Sequence, residues 1–234
     1  MKARLTSLIL LILFSVSDVV YAQPLTVTNP NNDNVAVYTV TFTSSWSEQS
    51  HPGVPTNAHF SPLIGATHHV STTLWMSGAI ASPGIEQMAE TGGTTILRNE
   101  MTAAGANVYE IFSGPGLATS PGQVAIPVVM ADRTHAFVTL VTMIAPSPDW
   151  FVGVHNLSLL DAEGKWQDTL VVTLYPYDAG TDAGTDYTSP DHEPTQHSAI
   201  TLLRGQTPFS NAPIGSLTFT RLHRLYLPTI TCAG

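Results

Sequence analysis

Cysteine is almost absent from this chain: Cys232, close to the C-terminus, is the only one among 234 residues. A single thiol cannot close an internal disulfide, so core packing, with or without a bound ion, has to hold the fold together. Cys232 lacks the N-terminal placement of a bacterial lipid-anchor cysteine and reads as a free thiol on a frayed tail. Charge is sparse and one-sided. Charged residues make up 11%, with 8 Lys and Arg against 17 Asp and Glu and a net charge of -9. That balance excludes the basic surface nucleic acid demands. After the first 22 residues no apolar run approaches the roughly 20 residues a membrane-spanning helix needs. Catalytic signatures are missing too. Ser113-Gly-Pro-Gly116 places serine ahead of its glycines instead of between them as in a nucleophile elbow. No loop has the alternating ligands and terminal Glu of an EF-hand.

What is present starts with an export signal: a basic start (Lys2, Arg4), an apolar run over residues 8–16 and the small-residue cut Val20-Tyr21-Ala22. Cleavage after Ala22 leaves a chain of about −10, bound for the extracellular space or a periplasm. The remainder, residues 23–234, reads as one domain with its core at about 36–224. Seventeen prolines and seventeen glycines favour short strands joined by tight turns. Runs of β-branched and aromatic residues predict strands at 36–43, 70–76, 107–112, 124–130, 136–144, 151–159, 169–174 and 216–222. The fold class is therefore all-β, an antiparallel β-sandwich of about eight strands. Two short helical turns, at 85–89 and 95–101, interrupt it and point Met88 and Met101 into the core.

Three aspartates fall in predicted turns at strand ends. Asp149 lies in Pro146-Ser-Pro-Asp-Trp150; Asp178 and Asp182 lie in the imperfect repeat Asp178-Ala-Gly-Thr-Asp182-Ala-Gly-Thr-Asp186. A hard cation such as Ca²⁺ takes about 6–8 oxygen ligands, which carboxylates and carbonyls on adjoining loops supply. Gly180 lets the chain turn sharply enough for Asp178 and Asp182 to face one ion. Without a cation these carboxylates repel, and Lys165 is the only basic side chain nearby in sequence. The alternative from pattern alone is that Asp and Gly merely form turns.

Other candidates read as structural. His68 and His69 are adjacent and point to opposite faces of a strand, so they are poorly placed to share a metal, and His51 and His59 are expected to fix loops by hydrogen bonds. Trp46, Trp75, Trp150 and Trp166 are weighed as a sugar-stacking platform but fit the core better. Glu86 and Glu90, four apart, read as a solvated helix face. The sequon Asn156-Leu-Ser158 sits inside a predicted strand, which argues against its use.

The runs Trp46-Ser-Glu-Gln-Ser-His51-Pro52, Ala58-His-Phe-Ser-Pro-Leu-Ile-Gly-Ala-Thr-His68, Ala89-Glu90-Thr-Gly92, Pro146-Ser-Pro-Asp-Trp150-Phe-Val-Gly153 and Tyr177-Asp178-Ala-Gly-Thr-Asp182-Ala-Gly184 resemble the spondin domain family, the module shared by F-spondin and mindin. The likeness runs from about Tyr38 to Leu222. It implies a C2-like β-sandwich with calcium held at one end by aspartates, here Asp149, Asp178 and Asp182. Asp186 falls outside the family motif. The chain departs from animal members in lacking their crosslinking cysteines, Leu160 standing where one is usual, and resembles the free-standing bacterial members.

The functional expectation is a secreted, non-catalytic, calcium-binding module for extracellular adhesion or recognition, its partner an unidentified cell-surface or extracellular ligand. Calcium-dependent attachment to a membrane surface, through phospholipid, or to carbohydrate is one alternative. A metal-assisted hydrolase using the same aspartates is the other.

Overall fold

The computed structural model describes residues 34–223. The export signal at 1–22 and Cys232 lie outside the described residues. Strict alternation builds the first strand, β1 (Val35–Ser44), which sends Ala36, Tyr38, Val40 and Phe42 inward and leaves Thr39, Thr41 and Thr43 on the other face. It pairs on one side with β11 (Gly215–Arg221) and on the other with β5 (Gly122–Asp132). β8 (Thr169–Leu174) adds to β11, giving a four-stranded antiparallel sheet ordered β5-β1-β11-β8.

The second sheet is built around β6 (Phe137–Ala145) and β7 (Trp150–Ser158), a hairpin flanked by β3 (Ile64–His68) and β4 (Val108–Ser113) on one side. On the other side lie the two-residue strands β9 (Tyr177–Asp178) and β10 (Thr201–Leu202), and the short β2 (His59–Phe60) pairs with β6. The main core fills the space between the sheets, with Tyr38, Phe42, Trp46, Leu140, Trp150, Val152 and Phe219 among its members.

The two helices give this sheet a second buried face. α1 (Pro83–Thr91) and α2 (Thr95–Ala103) press Ile85, Met88, Leu97 and Met101 onto Ile64, Val141, Met143 and Phe151. β6, covered on both sides, therefore reads as a continuous apolar run instead of an alternating one. Ser82 caps α1 by accepting the Ile85 N–H at 3.2 Å, and the Glu100 carboxylate of α2 accepts the Gly84 N–H at 2.7 Å, tying the helices together. Gly92 ends α1 in the left-handed conformation.

Seven of the eight predicted strands are present to within two residues; the structure adds four short ones. The segment 70–76 is not a strand. The chain turns there, the Thr72 N–H reaching the His69 carbonyl, Val70 lies exposed, and Trp75 packs inward against Phe151 and Tyr177. The strand that fills this place is β3, whose Ile-Gly-Ala-Thr-His sequence is buried on both faces and has no alternation to read. A Cβ on Gly65 would stand 2.5 Å from the Thr139 carbonyl and 2.8 Å from the Phe112 ring, so only glycine lets these strands close. Met88 and Met101 are fully buried, as expected. No helix of the described residues is long and apolar enough to cross a membrane.

Candidate functional site

The β6–β7 turn carries Asp149. Ser147 fixes that turn, donating to the Ile144 carbonyl at 2.6 Å while accepting the Trp150 N–H at 3.1 Å. β9 pairs with the start of β7 so that Asp178 lies opposite Trp150, and the Ala179 N–H donates to the Asp149 carbonyl at 3.1 Å. The glycine loop then folds back over Asp149. Its Oδ2 accepts the N–H groups of Thr181 at 2.7 Å and Asp182 at 3.1 Å. Sequence positions about 30 apart thus meet at one end of the sandwich.

The four-residue repeat has a plain local cause. Each aspartate accepts the N–H two residues on: Asp178 from Gly180 at 2.7 Å, Asp182 from Gly184 at 2.6 Å and Asp186 from Thr188 at 2.9 Å. These are three successive Asx turns. Gly180 has a φ of 75°, and a Cβ there would stand 2.4 Å from the Ser198 carbonyl, so glycine serves both the turn and the close approach. Asp186 is exposed and stands apart, in keeping with its omission from the site.

Electrostatically the cluster is one-signed. Burial, with the charge of Asp178 adding to it, pushes the Asp149 carboxyl up to about 6, although the Asp182 and Thr181 N–H groups pull it back. Burial also raises Asp178, with the Gly180 N–H working against the rise. Asp149 is fully buried, and its Oδ1 meets no hydrogen-bond donor among the described residues. An acceptor left so costs about 1–3 kcal/mol. The His135–Asp132, His197–Glu193 and Arg221–Asp168 ion pairs lie elsewhere.

Sequence reasoning missed one acidic neighbour. Glu90 does not belong to a solvated face: it is half-buried beside Asp182, on a cleft of ≈ 210 Å³ also lined by Ser147, Ser189 and Asp191. Burial raises its carboxyl, the Thr181 hydroxyl opposes that, and Glu86, Asp182 and Asp191 add to it. No spacing rule links a helix position to a loop about 90 residues later.

The donor chemistry here is all hard oxygen, and the unpartnered Asp149 Oδ1 suits a hard cation. Asp178 and Asp182 each use Oδ1 on their own turns, and Oδ2 of Asp182 accepts the His192 N–H at 3.1 Å. Among the described residues no three His, Cys, Asp or Glu side chains stand ready-made around a common point.

The other candidates sort as structural. His51 is buried and accepts the Ser210 N–H at 3.1 Å; His68 meets the Thr139 hydroxyl at 2.8 Å; His59 meets the Asn57 carbonyl at 2.7 Å. The His69 ring turns instead to Ser71, so the two imidazoles share no ligand position, and His68 Nδ1 meets only the His69 backbone carbonyl at 2.9 Å. All four tryptophans are buried, which removes the stacking platform. Asn156 lies within β7 and is only partly exposed.

Comparison with known proteins places these features. The family model Spondin_N matches residues 36–214. Spondin-2 of Homo sapiens is 34% identical over 198 residues, which cover 82% of this chain and 59% of that protein. Spondin-2 of Rattus norvegicus is 33% identical over 209 residues, covering 81% and 63%. Spondin-1 of Rattus norvegicus is 34% identical over 194 residues, covering 78% of this chain and 24% of that much longer protein. The chain thus spans about 60% of the length of the Spondin-2 relatives.

Proposed function

The chain belongs to the Spondin_N family, and from that premise we propose that it is a secreted, non-catalytic recognition module whose aspartate loops bind Ca²⁺ through Asp149, Asp178 and Asp182. The observation that carries the reading is the buried Oδ1 of Asp149, which meets no donor among the described residues and is set among carboxylates of the same sign. A divalent cation supplies the positive charge that this arrangement lacks. Asp149 comes from the β6–β7 turn and the other two from the glycine loop, so an ion shared by them ties the loop to the hairpin. Export rests on the N-terminal signal, and recognition of an extracellular or cell-surface ligand rests on family membership. The adjoining acidic cleft bordered by Glu90 and Asp191 offers an open approach for such a ligand.

Thermal unfolding in excess calcium and in chelator tests the site. At a calcium concentration about 100 times Kd, linkage contributes about 2.7 kcal/mol, which for a domain of this size raises Tm by roughly 5–10 °C. Asp178→Ala is expected to abolish that gain. Equal midpoints in both buffers would reduce the aspartate loop to a set of turns. Liposome binding with and without calcium separates a purely structural ion from one that bridges to lipid: equal binding in both sinks the bridging role.

A further inference from the structure

Among the described residues, apart from the two-residue β2 that pairs with β6 alone, the two sheets have four outer strands, and three of them are guarded. β10 is only two residues long. β5 carries Pro127 within it, and its Met130 is occupied on both sides, the N–H by the Glu110 carboxylate and the carbonyl by the Thr67 hydroxyl at 2.8 Å. β4 supplies that Glu110, and its Ser113 is held by Arg98. These are the usual means of stopping a sheet from growing: short strands, proline, and charged side chains at the rim.

β8 has none of them. Its sequence, Thr-Leu-Val-Val-Thr-Leu, holds no charge, proline or glycine, and Val171 at 61% is the most exposed large apolar side chain among the described residues. The Arg221 N–H donates to the Asp168 carbonyl, so even-numbered residues face β11 in the ladder. By the alternation of antiparallel pairs, the N–H and C=O groups of Thr169, Val171 and Thr173 point outward. Among the described residues nothing bonds to them.

We propose that β8 is a self-association edge, pairing antiparallel with β8 of a second copy across a two-fold axis at Val171. That register sets Val171 opposite itself and Thr169 opposite Thr173 on the solvent face, with Leu170 opposite Val172 on the core face. Every pair matches in polarity, and about six backbone hydrogen bonds form from groups now open. A two-fold contact needs such self-complementarity. Two copies of the secreted chain, each of about −10, repel, and strand β8 itself holds no charge. At its ends antiparallel pairing brings Asp168 of one strand, which Arg221 of its own chain meets at 3.7 Å, to the Tyr175 end of the other, where Arg204 lies 4.3 Å over the ring. Two four-stranded sheets thereby become one of about eight strands, a size open sheets tolerate.

Sedimentation of the secreted chain over a wide concentration range, in calcium and in chelator, tests this. A monomer–dimer equilibrium is expected in both. Val171→Lys, which sets like charges face to face on the axis, is expected to raise the dissociation constant at least about tenfold with Tm nearly unchanged. In a Cys232→Ser background, Val171→Cys is expected to oxidise to a covalent dimer, whereas Thr169→Cys, four residues off its own counterpart, is not. A chain monomeric throughout, a dimer indifferent to Val171→Lys, or equal crosslinking at both positions overturns the proposal.

Discussion

Tyr187→Ala is expected to cost about 3–4 kcal/mol in urea unfolding and to expose the segment 178–192 to limited proteolysis. Tyr187 is the anchor by which the aspartate loop is moored to the sandwich. Its ring centroid lies 5.5 Å from Trp46, 5.4 Å from Trp150 and 5.6 Å from Phe209, in tilted and edge-on arrangements that aromatic rings favour. Deleting a buried ring of this size leaves a cavity the neighbours fill only in part, with losses of about 3–5 kcal/mol. The contacting tryptophans cannot follow, because Trp46 and Trp150 are themselves fully enclosed. The loop then keeps its Asx turns and loses its mooring, so cleavage accelerates there before the sheets open. Tyr187→Phe is expected to cost under about 1 kcal/mol, because among the described residues the buried hydroxyl makes no hydrogen bond of normal geometry, the Trp46 indole being its nearest polar neighbour. A loss under about 1 kcal/mol for the alanine variant would mean that the turns alone hold the loop.

In chelator, the folded chain is expected to be less stable at pH 7.5 than at pH 4.5, by about 2 kcal/mol from Asp149 alone. The sign follows from proton counts. The carboxyl of Asp149 is pushed up to about 6 in the fold from 3.8. Between those values the folded state holds a proton that the unfolded chain has released, so stability falls as pH rises through that window and stays lower above it. Asp178 and Glu90, both raised chiefly by burial, act in the same direction. The surface pair acts in both directions. Asp132, lowered by His135 against the effect of its own burial, gives stability that is lost as pH falls; His135, raised, gives stability that is lost as pH rises. Asp149→Asn isolates the buried group: the amide oxygen still accepts from Thr181 and Asp182, and the fall with pH is expected to shrink by most of that amount. Saturating calcium in the wild type should flatten it likewise. Stability that is flat or rising from pH 4 to 6.5 in chelator would contradict the burial of an uncompensated charge.

The parts of this molecule that were legible in the sequence are those where local pattern and tertiary role coincide. β1, β8 and β11 alternate because one face meets the core and the other meets solvent, and each was placed within two residues. β3 was missed because both its faces are buried and its packing demands small residues, and β2, β9 and β10 are too short to show a period. The mistaken strand at 70–76 shows that β-branched residues alone do not make one when a turn intervenes. At the candidate site, Asp149, Asp178 and Asp182 stood out as acidic turn residues in family motifs, and the fold brings their loops together. Glu90 lies in one of the family runs as well, but helical spacing alone reads it as a solvated face, because its place against the glycine loop is a tertiary fact.

The Asx turns of that loop also bear on how it can change. Each Asp-Ala-Gly-Thr unit closes on itself, so adding or deleting one whole unit would leave every remaining turn intact while changing which aspartate arrives at Asp149. The loop is in this sense quantised: its length varies in steps of a unit without local strain, whereas a one-residue change breaks a turn. Asp186, the member that reaches nothing beyond its own turn, is then a spare copy already in frame.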